Sequence, residues 1–98
     1  MAVHWLPTAL IDLDVISDQI MLDSPSAAER EVATIIEVSG HLNRFRHLGR
    51  PGRWPESREL VIEGRYILAY RENGEDIEIT AVLRAERQWP ETPEQRLE

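Results

Sequence analysis

Arg58 and Glu59 open a strand-like run, Arg65 and Arg71 bracket the next, and Arg84, Arg87 and Trp89 close the last. A guanidinium is a planar fork that grips a carboxylate or a phosphate through two bonds. Arginines gathered at one rim of a sheet therefore suit recognition of an anion. On that ground Arg58, Arg65, Arg84 and Arg87 are the candidate functional residues, and Trp89 joins them from the same exit segment. Each also has a structural use. Arg58 and Glu59 can serve in an ion pair that ties the strand to its surroundings, and the other arginines can be solvated strand ends. Trp89 can cap the sheet edge. Tyr66 and Tyr70 share strand parity with Leu68 and read as half-buried packing residues. His4, His41 and His47 have no ligand partner three or four residues away, so no metal site is expected. A phosphate-binding loop and a nucleophile elbow are both missing, and no residue set reads as catalytic.

The elements that must position these residues follow from periodicity. Ala2 to Leu6 alternates as a short strand, with Val3 and Trp5 on one side. Pro7 and Thr8 start a helix, proline being tolerated in the first turn. Leu10, Leu13, Ile16 and Ile20 make one apolar stripe and Ile11, Val15 and Leu22 a second, so this helix has two contact faces. Ser26 with Glu29 predicts a capping box for a second helix. Its buried face is Ala28, Val32, Ile35, Leu42 and Phe45, and its stop is Gly49. Pro51-Gly52 fits a type II turn. Leu60 and Ile62 alternate with Glu59, Val61 and Glu63, and Glu63-Gly64 turns the chain into Tyr66 to Arg71. Asn73-Gly74, with positive φ at both positions, predicts a hairpin. Ile77, Ile79, Ala81 and Leu83 then alternate with Glu78, Thr80, Val82 and Arg84. The expected fold is α+β, a helical hairpin packed on one face of a mostly antiparallel four-stranded sheet in the order β-α-α-β-β-β. One domain is expected over residues 1–90, with a flexible tail at 91–98.

A chain of 98 residues buries roughly two thirds of its unfolded surface and so supports one core. It has no cysteine, which excludes disulfides and thiolate metal sites. Asp12, Asp14 and Asp18 interrupt the N-terminal apolar run, and no stretch approaches the roughly 20 apolar residues that cross a bilayer, so a cytoplasmic protein is expected. The net charge of −7 argues against a chain that coats nucleic acid unaided. Its distribution is uneven. Residues 1–40 hold one arginine against seven acids, residues 41–71 seven against three, and residues 72–98 three against eight. A basic middle lies between acidic ends, and every cation in it is arginine.

From Gly49 to Pro90 the chain carries a Gly-Arg-Pro-Gly turn, then Arg58-Glu59-Leu60 followed by two β-branched residues. It ends with Val82-Leu83, Arg87 and Trp89-Pro90. Placed after two amphipathic helices, these motifs resemble the toxins of the RelE/ParE superfamily, and the ParE-like branch in particular. Arg84 and Ala85 stand where many ParE-like members show histidine and glycine. The resemblance implies the toxin of a bacterial type II toxin–antitoxin pair, one that inhibits DNA gyrase by binding, without cofactor or bond-breaking residues. It implies neutralisation by a cognate antitoxin whose C-terminal segment folds over Ile11, Val15 and Leu22 and part of the sheet. A toxin–antitoxin hetero-oligomer would reach operator DNA only through the antitoxin, and no membrane is involved. The alternatives are a RelE-like ribosome-dependent mRNA endonuclease and a module that has lost toxicity and only binds antitoxin. The nuclease needs a base, cations and an acid. Arg58, Arg65 and Arg84 would supply the charge, and Glu59, Glu86 or a tyrosine the base.

Overall fold

The computed structural model describes residues 2–86. Strand β1 (Val3–Trp5) leads into helix α1 (Pro7–Asp23), with Pro7 at the first helical position where its missing N–H costs nothing. Ser24 alone separates α1 from α2 (Pro25–Gly40). Its N–H donates to the Ile20 carbonyl, and its hydroxyl accepts from the Ala27 N–H at 3.2 Å. One residue thus closes one helix and caps the next. The cap expected at Ser26 is displaced because Pro25 takes the first helical position and puts the cap before it. Helix α2 also ends earlier than expected, at Gly40, and tightens into a 3-10 turn over His41–Asn43. Leu42 is still buried, but Phe45, expected on the buried face, is exposed.

Among the described residues the sheet has five strands, not four, in the order β1-β5-β4-β3-β2. The addition is β2 (Arg50–Pro51), which pairs with Glu59 and Arg58 of β3 (Arg58–Ile62). Pro51-Gly52 is therefore strand and strand exit rather than a type II turn. The turn of that kind comes four residues later, where Ser57 N–H donates to the Trp54 carbonyl with Pro55 first and Glu56 second at φ 58°. Glu63 and Gly64 both have positive φ and carry β3 into β4 (Tyr66–Asn73). The β4–β5 turn centres on Gly74-Glu75, with positive φ at Gly74 only. Asn73, expected inside the turn, stays paired with Asp76 of β5 (Asp76–Arg84), and its amide donates to Glu78 Oε2 at 3.1 Å. Strand β1 runs parallel to β5, from Val3 opposite Ile77 to Trp5 opposite Ile79.

The helices bury Ala9, Leu13, Ile16, Ile20, Ala28 and Ile35 against Ile62, Tyr66, Leu68, Tyr70, Ile77, Ile79 and Val82. Each large aliphatic side chain placed there contributes roughly 1.5–3 kcal/mol. Trp5 ties β1 to α2 by donating its indole N–H to Ser39 Oγ at 3.3 Å. The opposite face carries a smaller cluster in which Trp54, from the β2–β3 loop, covers Ala69, Ala81 and Leu83. Strand β5 serves both faces because its alternation breaks at Thr80. Tyr70 lies opposite Ile79 and Ala69 opposite Ala81, so Thr80 is an extra, bulged residue. Ile77, Ile79 and Val82 face the helices, while Ala81 and Leu83 face Trp54. The uninterrupted alternation expected from Ile77 to Arg84 is thereby corrected.

Candidate functional site

The bulge decides where Arg84 goes. Beyond Thr80 it shares the helix-covered face with Val82, beside α1 rather than at the rim of the open face. Its Nε donates to Gln19 Oε1 at 3.2 Å, and its guanidinium carbon lies 5.9 Å from the centre of the Tyr66 ring. Arg65 joins it from the adjacent turn, with Nη1 2.7 Å from Glu31 Oε1. That same oxygen accepts from the Tyr66 hydroxyl at 3.0 Å. Burial, reinforced by the Glu31 carboxylate, pushes the Tyr66 phenol above its ordinary pKa. Tyr66 thus keeps its proton and donates a hydrogen bond to Glu31.

Arg58 stands apart from this group. It lies opposite Tyr70 on β4, whereas Arg84 lies opposite Tyr66. Four residues of extended chain separate the two positions, about 13 Å. Arg58 also faces the helix side, in step with Leu60 and Ile62, and its Nη1 donates to the Gly49 carbonyl at 2.8 Å. Glu59 points to the opposite face and makes the ion pair that ties the strand to its surroundings. It is 4% exposed and takes Arg53, from both its backbone N–H and its Nε at 2.9 Å. Burial raises the Glu59 carboxyl, but the Arg53 hydrogen bonds and the Arg53 and Arg50 charges outweigh it and leave the pKa below 4.5. Arg71 is paired with Glu78 at 2.8 Å. Arg87, Trp89 and the tail from residue 91 lie outside the described residues.

Arg46 carries more bonds than any expected candidate among the described residues, and nothing in its spacing marks it out. Its Nε reaches Glu72 Oε1 at 2.8 Å, and its Nη atoms donate to the carbonyls of Gly74, Glu75 and Asp76. It seals the β4–β5 turn from outside. Its own carbonyl accepts from the Tyr70 hydroxyl at 2.8 Å, and that hydroxyl accepts from the Gly49 N–H at 2.8 Å.

The second apolar stripe of α1 is exposed: Ile11 60%, Val15 45% and Leu22 89%. Leu10, expected in the buried stripe, is exposed as well, and Ala9 takes the buried position. Beside this stripe a groove of about 280 Å³ runs between α1 and β5, with Asp12, Val15 and Gln19 on one wall and Val82 and Arg84 on the other. The groove exists because β1 covers β5 only as far as Ile79. Further along, α1 side chains take the place of a neighbouring strand. Thr8 Oγ1 donates to the Thr80 carbonyl at 3.3 Å, and Asp12 Oδ2 accepts from the Val82 N–H at 3.1 Å. Sheet edge, apolar stripe and acidic rim thus meet along one helix. Among the described residues no three histidine, aspartate or glutamate side chains gather as a metal site requires, and no helix is long and apolar enough to cross a membrane.

Comparison with known proteins gives concordant results. The family model for the ParE toxin of the parDE type II toxin–antitoxin system matches residues 3–89. The Sinorhizobium fredii protein Y4kP, named as a toxin candidate, is 41% identical over 90 residues, covering 91% of this chain and 93% of its own length. The solved structure of a chromosomal ParDE toxin–antitoxin system from P. aeruginosa superposes with a TM-score of 0.79 at 31% identity. That match covers 88% of this chain and 97% of the other.

Proposed function

The chain belongs to the ParE toxin family of type II toxin–antitoxin systems, and on that premise we propose that it arrests DNA gyrase by binding it. It works in the cytoplasm and is neutralised by a cognate antitoxin within a hetero-oligomer that reaches operator DNA only through the antitoxin. The antitoxin segment covers Ile11, Val15 and Leu22 and enters the groove beside them. Arg84, in the wall of that groove, and Arg65, joined to it through Glu31 and Tyr66, are on the antitoxin side. Arg58, about 13 Å away along β4, belongs to the target side.

The observation that carries binding over catalysis is the state of the groups that would have to move protons. Tyr66 is buried, with a raised pKa and its hydroxyl committed to Glu31. Glu59 is buried under Arg53, with a lowered pKa that makes it a poor base. Of the bases a ribonuclease built on these arginines could call on, Glu59 and both tyrosines are thus engaged inside the fold, which leaves Glu86, exposed just past β5. The test uses purified toxin with gyrase and, separately, with translating ribosomes. Supercoiling should fall while ribosome-bound messenger stays intact. Cleavage of messenger in the ribosomal A site would establish the nuclease instead. Inactivity in both assays with antitoxin binding retained would leave only a binding module.

A further inference from the structure

Between the 3-10 turn and β2 the chain reads Arg44-Phe45-Arg46-His47-Leu48-Gly49-Arg50. Leu48 N–H donates to the Phe45 carbonyl at 3.1 Å, which closes a turn and brings the two apolar residues within about 7 Å. Both are half exposed, Phe45 at 55% and Leu48 at 51%, although these are among the side chains most often found inside proteins. Cations surround them. The Arg44 guanidinium carbon lies 5.6 Å from the centre of the Phe45 ring, and the side chains of His47 and Arg50 are 68% and 60% exposed.

A slack connector would let these apolar groups collapse onto the body of the protein. This one is pinned from three directions. Arg46 is bonded to three carbonyls and Glu72, the Tyr70 hydroxyl bridges Arg46 and Gly49, and Arg58 holds the Gly49 carbonyl. A Cβ at Gly49 would meet the Glu59 carbonyl oxygen and the Tyr70 ring at 2.8 Å, so the loop is seated hard against β3 and β4. A turn ordered during folding meets a partner without the cost of being ordered then.

We infer that the Phe45–Leu48 turn is the surface that engages the toxin's target. Its partner there is a protein surface offering an apolar pocket rimmed by carboxylates. This rests on the reading of the chain as a toxin that acts by binding a protein. Charge complementarity selects the partner. Residues 41–53 carry four arginines and no acid, whereas residues 7–23 carry four aspartates and no cation. The two exposed apolar faces therefore call for partners of opposite charge, and an antitoxin segment suited to α1 is unsuited to this turn. Nucleic acid is the poorer fit, because the centre of the patch is apolar and the chain as a whole carries −7.

The test is the Phe45→Ala/Leu48→Ala double variant, with Arg44→Glu as a second variant that leaves the apolar pair in place. Purified gyrase is the probe. Both variants should bind the antitoxin within about twofold of the parent while losing at least about ten-fold in gyrase inhibition, as truncation at a hot spot does. Full inhibition by either variant overturns the proposal. So does a labelled DNA duplex that the parent binds without gyrase and the double variant does not. A parent dimer that the double variant dissolves has the same consequence. Should the parent not inhibit gyrase at all, the gyrase reading fails by itself. Growth arrest in cells then decides the surface: arrest lost in both variants keeps it, and arrest retained removes it.

Discussion

Helix α1 and the Phe45–Leu48 turn both hold apolar side chains in water, but they are built and charged in opposite ways. The helix presents Ile11, Val15 and Leu22 between aspartates, on a regular element whose far side is anchored in the core by Leu13, Ile16 and Ile20. The turn presents Phe45 and Leu48 between arginines, on irregular chain held by side chain to backbone bonds from β4 and β3. One face can therefore be altered with little effect on the other. Under the proposed function, in which one protein silences the toxin and another is its target, that separation is an advantage.

The harshest way to break the comparison is Gly49→Ala. The added methyl has no space between the Glu59 carbonyl and Tyr70, and overpacking of this kind costs about 1–3 kcal/mol or more. A thermal melt should show a lower midpoint, and the target-facing activity should fall further than antitoxin binding. Val15→Asp attacks the other face. An aspartate added to the acidic helix should weaken antitoxin binding by roughly 2 kcal/mol, read by calorimetry. Stability should change by no more than about 0.5 kcal/mol and toxicity should persist.

Tyr70→Phe is a finer probe of the turn. It removes the hydroxyl that joins Arg46 to Gly49 and leaves the buried Gly49 N–H without its acceptor, a cost of about 1–3 kcal/mol in denaturant unfolding. Burial raises the Tyr70 pKa, so the phenol stays protonated and the bridge should not loosen at moderately alkaline pH. Arg58→Ala should cost less, about 0.5–1.5 kcal/mol for one hydrogen bond to the Gly49 carbonyl. Its effect on gyrase inhibition should exceed its effect on antitoxin affinity.

The smallest effect is in the dependence on acid. Glu59 has a folded pKa below its ordinary 4.5, so its contribution is fully present above pH 4.5 and is lost as pH falls through the lower, folded value. Glu59→Gln should flatten the acid limb of the stability profile. An unchanged acid limb would mean that Arg53 and Arg50 do not hold the loop through this carboxylate.

The helix face was legible in the sequence, because a period of 3.6 residues separates two stripes whatever the rest of the chain does. The Tyr66, Leu68 and Tyr70 face and the Glu63-Gly64 turn were legible for similar local reasons. Long-range bonding was not. Arg46 gains its role from carbonyls 28 to 30 residues away, which no spacing announces. Arg84 moved to the other face because one residue, Thr80, is bulged, and a shift of one residue inverts every side chain beyond it. The β4–β5 turn slid from Asn73-Gly74 to Gly74-Glu75 where the Asn73 amide found Glu78 and Arg46 sealed the turn carbonyls. Position in the chain thus pointed to the proposed antitoxin face, whereas the proposed target face became visible only in the fold.

The measurement that tests separation most directly compares Val15→Asp and Phe45→Ala/Leu48→Ala side by side, recording the antitoxin Kd and the half-inhibitory concentration for gyrase of each. Crossed losses are expected: the helix variant loses antitoxin and keeps gyrase inhibition, and the turn variant does the reverse. Parallel losses, with each variant impaired in both assays while its thermal midpoint is unchanged, would show that one shared surface serves both partners.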